Sequence, residues 1–402
     1  MATDGALHPH HPRRAPVARS DEAQTTSLSR QQARRVREVH RGARPRRRTC
    51  DRTRAGTRAG GHDAGRAAQR GGHGTSMTRG CDSVDSGGVD QQPPLTPTQQ
   101  RLLDQLRRDG DPLVFDADEI DDLVRRAHDV VAEVSARLGG ERLVVSKGFL
   151  TQVHGCEARH LLPDSFRWNA ATARGFVSHR AIELAAHWQG DPAPEVLVDE
   201  AIARLADQAS YQGDFIAGLT DADRAELRAG AVERVTRFLQ DFPPVPARSQ
   251  PVYEARTRWA PPGCIELVGK TDLVIGRPNG RVSTKLVIDL KTGWPSPTHR
   301  DDLRFYALLE TVVRRVPPRR LVTYYLDSAE ADVEDVSMAV LETALARLEG
   351  GVRRHAELVA DARPPLKRPG RSCRWCPALV TCDEGRAHLA ALDDDGSQGF
   401  DD

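Results

Sequence analysis

Apolar residues along this chain change period twice, and the changes mark out its elements. Before Thr96 there is no period to read, because Leu, Ile, Phe and Trp are nearly absent. Thr96-Pro97 forms an N-cap with proline at the first helical position, and Leu102, Leu103 and Leu106 follow at helical spacing. A second helix is predicted over 120–138, ended by Gly139-Gly140. A third opens at Ser146, with Phe149, Leu150 and Val153 leading to Cys156. The Ala-rich segment holding His179, Ile182, Glu183 and Leu184 is helical, as are about 195–209 and 221–241. The period then drops to two. Strands are predicted over 252–259, 265–275 and 286–290, the last two joined as a hairpin through Pro278-Asn279-Gly280. A helix over 302–316, a strand over 321–326 and a long amphipathic helix over about 333–362 complete the pattern. One strand reached across a helix implies an α/β fold, a mixed sheet with helices on both faces.

Charge divides the chain where the period begins. Up to residue 95 there are 18 Arg and no Lys against 9 acids; the remainder has 40 basic and 48 acidic residues, so the net +1 hides a basic tail on an acidic globule. A segment with so little apolar surface cannot offset its ordering entropy, so residues 1–95 are expected to be disordered. The tail reads as a nucleic-acid arm or as an over-extended start, with Met77 the alternative first residue. Residues 96–145 read as a helical lead-in, 146–385 as the main domain with a helical insertion at about 190–250, and 386–402 as a disordered acidic tail. No apolar run approaches the ~20 residues of a membrane span, and the N-terminus lacks the apolar core of a signal peptide. A cytoplasmic protein is expected. No phosphate-binding Walker loop occurs in the chain, so strand separation would need a separate helicase.

The stretch Gly269–Gly293 carries the most informative chemistry. Asp272 lies in its first strand; Asp289 and Lys291 lie two residues apart in its second and so leave one face of the sheet. Carboxylates among Val, Ile and Leu are costly unless they bind something. Two carboxylates and an ammonium on one patch suit a divalent metal with a charge to activate water or steady a phosphate. The chain has only five lysines, which makes one in the Asp-x-Lys position more telling. Cys373, Cys376 and Cys382 form a second constellation: three close thiols call for a metal and a fourth ligand, and zinc or a [4Fe–4S] cluster would satisfy the set. Cys50 and Cys81 read as free.

An Asp followed at a distance by Asp-x-Lys resembles the PD-(D/E)XK nuclease superfamily. The further motifs are similar to its RecB/AddB-like branch, which includes the CRISPR-associated iron–sulphur exonucleases. Gly175-Phe-Val-Ser-His179 resembles the branch's helical motif, Asp302-Leu-Arg-Phe-Tyr306 its Gln-x-x-x-Tyr helix, and Cys373-x2-Cys376-x5-Cys382 its cysteine triplet. The resemblance covers roughly Ser146 to Cys382 and implies a restriction-endonuclease-like α/β/α core. It further implies a Mg²⁺ or Mn²⁺ ion held by His179, Asp272, Asp289 and the Leu290 carbonyl, with Lys291 and Tyr306 at the scissile phosphate. A [4Fe–4S] cluster on Cys156, Cys373, Cys376 and Cys382 is implied as well, with Cys264 the rival fourth ligand. The function implied is an exonuclease on single-stranded or duplex DNA ends, in repair, recombination or defence. A helicase or a CRISPR adaptation protein would be its partner. The competing reading is a nuclease-like DNA-binding scaffold without chemistry, and Asp302 in the place of glutamine points to it. Two basic runs, Arg314, Arg315, Arg319, Arg320 and Lys367, Arg368, Arg371, Arg374, are candidate phosphate contacts.

Overall fold

The computed structural model describes residues 94–107, 110–163 and 168–397. The basic tail, Cys50, Cys81 and the alternative start at Met77 lie outside the described residues. Eleven α-helices and eight strands are formed among those described. Helices α1 (Pro97–Leu106) and α2 (Ala117–Arg137) follow the predicted apolar spacing, and α2 stops before Gly139 and Gly140, both at positive φ. Strand β1 (Leu113–Val114) lies between them, and β2 (Leu143–Val145) follows. Then come α3 (Lys147–His154), capped by Ser146, the short α4 (Glu157–His160), and α5 (Ala170–His187), capped by Asn169. Residues 190–250, expected as a helical insertion, contain α6 (Pro194–Ala206), α7 (Tyr211–Ala217) and α8 (Asp221–Asp241).

The main sheet is built from β3 (Val252–Trp259), β4 (Ile265–Ile275), β6 (Leu286–Lys291), β7 (Arg320–Tyr325) and β8 (Glu330–Asp335), with β2 at one side. Its order is β2-β4-β6-β7-β8, with β3 also paired to β4. Pairs β2–β4 and β6–β7 are parallel, whereas β3–β4, β4–β6 and β7–β8 are antiparallel. The sheet is therefore mixed, as expected. Helix α9 (Pro297–Arg314) joins β6 to β7, and α10 (Met338–Val359) follows β8.

Alternation along the central strands buries both faces. Val287 and Leu321 pack with α2, α9 and α10; Leu286, Ile288, Leu290, Val322 and Tyr324 pack with α5, α6 and α8. The result is the α/β/α arrangement. Strand β4 presents both clusters to itself: Leu267 belongs to the first and Leu273, of like parity, to the second. The strand turns over between them, where Glu254 on the partner strand holds a φ of 54°.

Several expectations are corrected. The lead-in 96–145 is not wholly helical, because β2 joins the main sheet; three residues are too few to show a period. Residues 330–335 form an edge strand, so 333–335, expected to start the long helix, are strand instead. Their acidic pattern, EADVED, suits an edge exposed to solvent and hides strand character. The helix after β6 starts at Pro297, five residues before Asp302. The Asn279-Gly280 turn is present, but β5 (Val282–Ser283) beyond it pairs with β1, so the β4–β6 connection is longer than a tight hairpin. The chain remains helical in α11 (Asp383–Ser397), where a disordered tail was expected from residue 386. No helix among the described residues is long and apolar enough to cross a membrane.

Candidate active site

The β4–β6 ladder stops one step short of the two acids. Its last pair is Leu273 with Ile288, so Asp272 and Asp289 would face each other next. Like charges directly opposite are destabilising, and here the strands part. The Leu290 N–H donates to Asp272 Oδ2 (2.7 Å) instead of continuing the ladder. The two carboxylates then find different partners.

On the α5 side, His179 Nδ1 lies 3.2 Å from Asp272 Oδ1. Burial alone would lower the His179 pKa, but the Asp272 charge and hydrogen bond outweigh it and raise the imidazole above its ordinary value. Burial pushes Asp272 upward, yet His179, the Leu290 N–H and Lys147 hold it below the usual carboxylate range. Gly175, one turn before His179, explains the spacing of its motif. A Cβ there would sit 3.2 Å from Thr292 Oγ1, on the loop after Lys291. The glycine lets α5 approach that loop while His179 reaches β4.

Asp289 is 1% exposed and meets two lysines. Lys147 Nζ donates to Oδ1 at 3.0 Å; Lys291 Nζ lies 2.8 Å from Oδ2 but out of hydrogen-bond alignment, so that oxygen has no aligned donor. Both ammoniums also approach Asp302 Oδ2, Lys147 at 3.5 Å and Lys291 at 3.4 Å. The acid standing where glutamine was expected is thus charge-compensated. Lys147 further sits 5.2 Å over the Tyr306 ring. Burial of Lys147 opposes its charge, but Asp289, Asp302 and Asp272 outweigh it and raise its pKa.

Tyr306 lies in the core, 3% exposed, and its hydroxyl donates to the Lys270 carbonyl at 2.6 Å. Burial raises its pKa, so the phenol stays neutral. It braces the strand that carries Asp272. Glu183 turns to Arg180 at 2.5 Å, away from the histidine.

Two site residues carried no signal in the sequence. Lys147 is one, separated from Asp289 by 142 positions. Glu254 is the other: its carboxylate, His179 and Asp272 each offer a ligand atom, and these lie within 4.8 Å of one another. Its positive φ is costly for a non-glycine residue, typically ~1–3 kcal/mol, and it ion-pairs with Lys270. The donor set fits a divalent cation. It offers carboxylates and an imidazole at ligand-to-ligand spacing, and a buried carboxylate oxygen without an aligned donor.

The thiols meet elsewhere. Cys156, Cys373, Cys376 and Cys382 line one cavity of about 130 Å³. Cys156 precedes α4, and the other three are spaced by two 3₁₀ turns ahead of α11. The Gly370 and Gly385 N–H groups each point at a sulfur, Cys373 and Cys382 respectively, at 3.4 Å. A Cβ on Gly385 would press on Cys382 Sγ at 3.3 Å and touch Cys373 Sγ at 3.6 Å. None of the four is in a disulfide. These residues fit a centre held by four thiolates. Cys264 packs against the core beside α2, its thiol 3.7 Å from the Ser135 carbonyl, and does not reach the cavity. The joining device was also silent in the sequence. Buried Glu157 accepts from Arg363 and from the Leu366 N–H (2.8 Å), which fastens α4 to the cysteine-bearing segment. Arg363, against the opposing effect of burial and with help from that N–H, holds the Glu157 pKa at about 2.

The first basic run is spent within the fold. Arg314 pairs with Glu310 and Arg315 with Asp121, while Arg319 and Arg320 cap the last carbonyls of α1. In the second, Lys367 pairs with Glu384, Arg368 bonds the His154 carbonyl and Arg374 pairs with Asp393.

Among solved structures, the chain is similar to a candidate exonuclease from Eubacterium rectale: 12% identity and TM-score 0.37, covering 62% of this chain and 89% of that one. It is also similar to SSO0001, at 16% identity and TM-score 0.25, covering 53% of this chain and 97% of that one. No protein of curated function matches. The sequence profile of the PD-(D/E)XK nuclease superfamily matches residues 145–383, from the end of β2 to the last clustered cysteine. That span takes in the acid pair, both site lysines and the histidine, and the chain belongs to the PD-(D/E)XK nuclease superfamily.

Proposed function

We propose that this protein is a Mg²⁺- or Mn²⁺-dependent deoxyribonuclease of the RecB/AddB-like branch, hydrolysing phosphodiester bonds at single-stranded ends. The observation that carries the reading is the gathering of His179, Glu254 and Asp272 where the β4–β6 ladder ends, one register step from Asp289, with Lys291 against Asp289. His179, Asp272, Asp289 and the Leu290 carbonyl are the ligand set, with Glu254 beside them. The cation supplies Lewis acidity and a water of lowered pKa. Lys291 holds Asp289 and turns its ammonium toward the charge that builds on the phosphate. Tyr306 acts by position, keeping α9 on β4. The single-strand preference is supported by Trp294, 91% exposed and three residues beyond Lys291. An open indole at that place is a stacking face for an unpaired base.

We further propose that the four thiols hold a [4Fe–4S] cluster that fastens the two ends of the domain.

Labelled single- and double-stranded oligonucleotides with Mn²⁺ test the catalytic reading. Asp289→Asn and Lys291→Ala should each lower cleavage at least ~100-fold, the scale of losing one transition-state-stabilising group. Absence of cleavage by the wild type, or cleavage by both variants equal to that of the wild type, overturns it.

A further inference from the structure

Lys147 has no part in the catalytic reading, yet it makes the best-aligned bond to the central carboxylate. Asp289 has an ammonium against each oxygen: Lys147 at 3.0 Å on Oδ1, and Lys291 at 2.8 Å on Oδ2. The two ammoniums also share Asp302, so two lysines balance two carboxylates with no cation present. A divalent cation on Asp289 would add two positive charges beside both ammoniums, which Asp289 and Asp302 already balance. At the effective dielectric of such a site, their repulsion exceeds thermal energy several-fold. One lysine has to yield.

The placement of the two lysines says which. Lys291 lies on β6, two residues from Asp289, and its backbone is fixed by pairing with Tyr325 of β7. Lys147 reaches in from the first turn of α3 on a free four-carbon stem, and its side chain is the more exposed of the two, 29% against 18%. It also has somewhere to go. Asp302 Oδ2 is 3.5 Å away, and the Tyr306 ring supports the ammonium from 5.2 Å. A compact, mobile point charge of this kind suits a phosphate.

We propose that Lys147 is a substrate-binding residue held in reserve: it neutralises Asp289 in the cation-free site and serves a non-bridging oxygen of the phosphodiester once Asp289 is shared with a divalent cation. The inference rests on the nuclease reading and deepens it.

The test reads metal binding apart from cleavage. Mn²⁺ alone is titrated calorimetrically into wild type, Lys147→Gln and Asp289→Asn, and KM is measured on a single-stranded oligonucleotide. Lys147→Gln should bind Mn²⁺ roughly ten-fold tighter, since a competing cation is gone, while its KM rises roughly ten-fold. Lys147→Met, which keeps the stem, should repeat both changes if the glutamine variant is poorly folded. Lys147→Arg, which keeps the charge, should restore Mn²⁺ affinity toward wild type. The opposed signs are diagnostic, because a residue that merely braces Asp289 would weaken both when removed. Wild type binding Mn²⁺ through Asp289, with Lys147→Gln and Lys147→Met binding it no tighter, overturns this inference and leaves the nuclease reading standing. Wild type binding no Mn²⁺, or binding it unchanged in Asp289→Asn, overturns both.

Discussion

His160, at the end of α4, and His355 of α10 meet Nε2 to Nδ1 at 3.0 Å, both edge-on to Phe149. Burial, and then the charge of His355, push the His160 pKa down to about 4. An unfolded histidine titrates near ~6.5, so between these values the unfolded chain holds the proton and the folded one does not. Stability from this ring is complete above pH ~6.5, falls as the pH drops toward 4, and is flat below. The ring is only half-buried, so solvent screening leaves about 1 kcal/mol of the effect. Thermal melts should show wild type losing more between pH 7 and pH 4.5 than His160→Gln; equal losses would show that the ring titrates normally. At this scale the sequence was legible where a motif was local. Asp289 and Lys291 sit two residues apart and His179 within a five-residue motif. Lys147, Glu254 and Glu157 were silent, because each acts on a partner distant in the chain and a lone charge has no pattern.

Helix α9 lies close on β4, and one glycine permits it. A Cβ on Gly269 would stand 2.8 Å from Leu309 Cδ2 and 3.0 Å from the Tyr306 ring. Gly269→Ala should cost about 1–3 kcal/mol, as overpacking in a filled core does, read as a lower urea midpoint at unchanged slope. Tyr306 also bonds the Lys270 carbonyl, two residues from Asp272, so the same variant should bind Mn²⁺ more weakly. An alanine variant as stable as wild type would mean that α9 shifts freely. Among the elements, α2, α8, β3, β4 and β6 were readable because each spans several periods. The strands β1, β2 and β5 are too short to show one, and β8 is an acidic edge whose pattern resembles a helix start.

Over the whole molecule, the cysteine cavity joins positions more than two hundred residues apart, and a centre bound there would close a loop around nearly the entire domain. Such a crosslink constrains the unfolded chain at a cost that grows only slowly with loop length. Anaerobically purified protein should be brown with bound iron, and Cys156→Ser should bleach it as fully as Cys373→Ser. Cys264→Ser should keep its colour, since that thiol is bonded in the core. Removal of the centre by a chelator should lower the melting temperature. A colourless protein with one zinc per chain would replace iron while keeping the ligand set; colour retained in Cys156→Ser would remove that residue from it.

By itself the sequence determined the α/β class, the two acids with their lysine, and the cysteine triplet. All of these are written in short-range periods and spacings that backbone geometry converts directly into faces. Only the tertiary structure decided how Asp272 and Asp289 are separated at the end of their ladder, which charges answer each of them, and that Cys156 rather than Cys264 faces the other three thiols. Those outcomes depend on how strands part and helices dock. They follow from packing across the whole sheet, which no local stretch of residues contains.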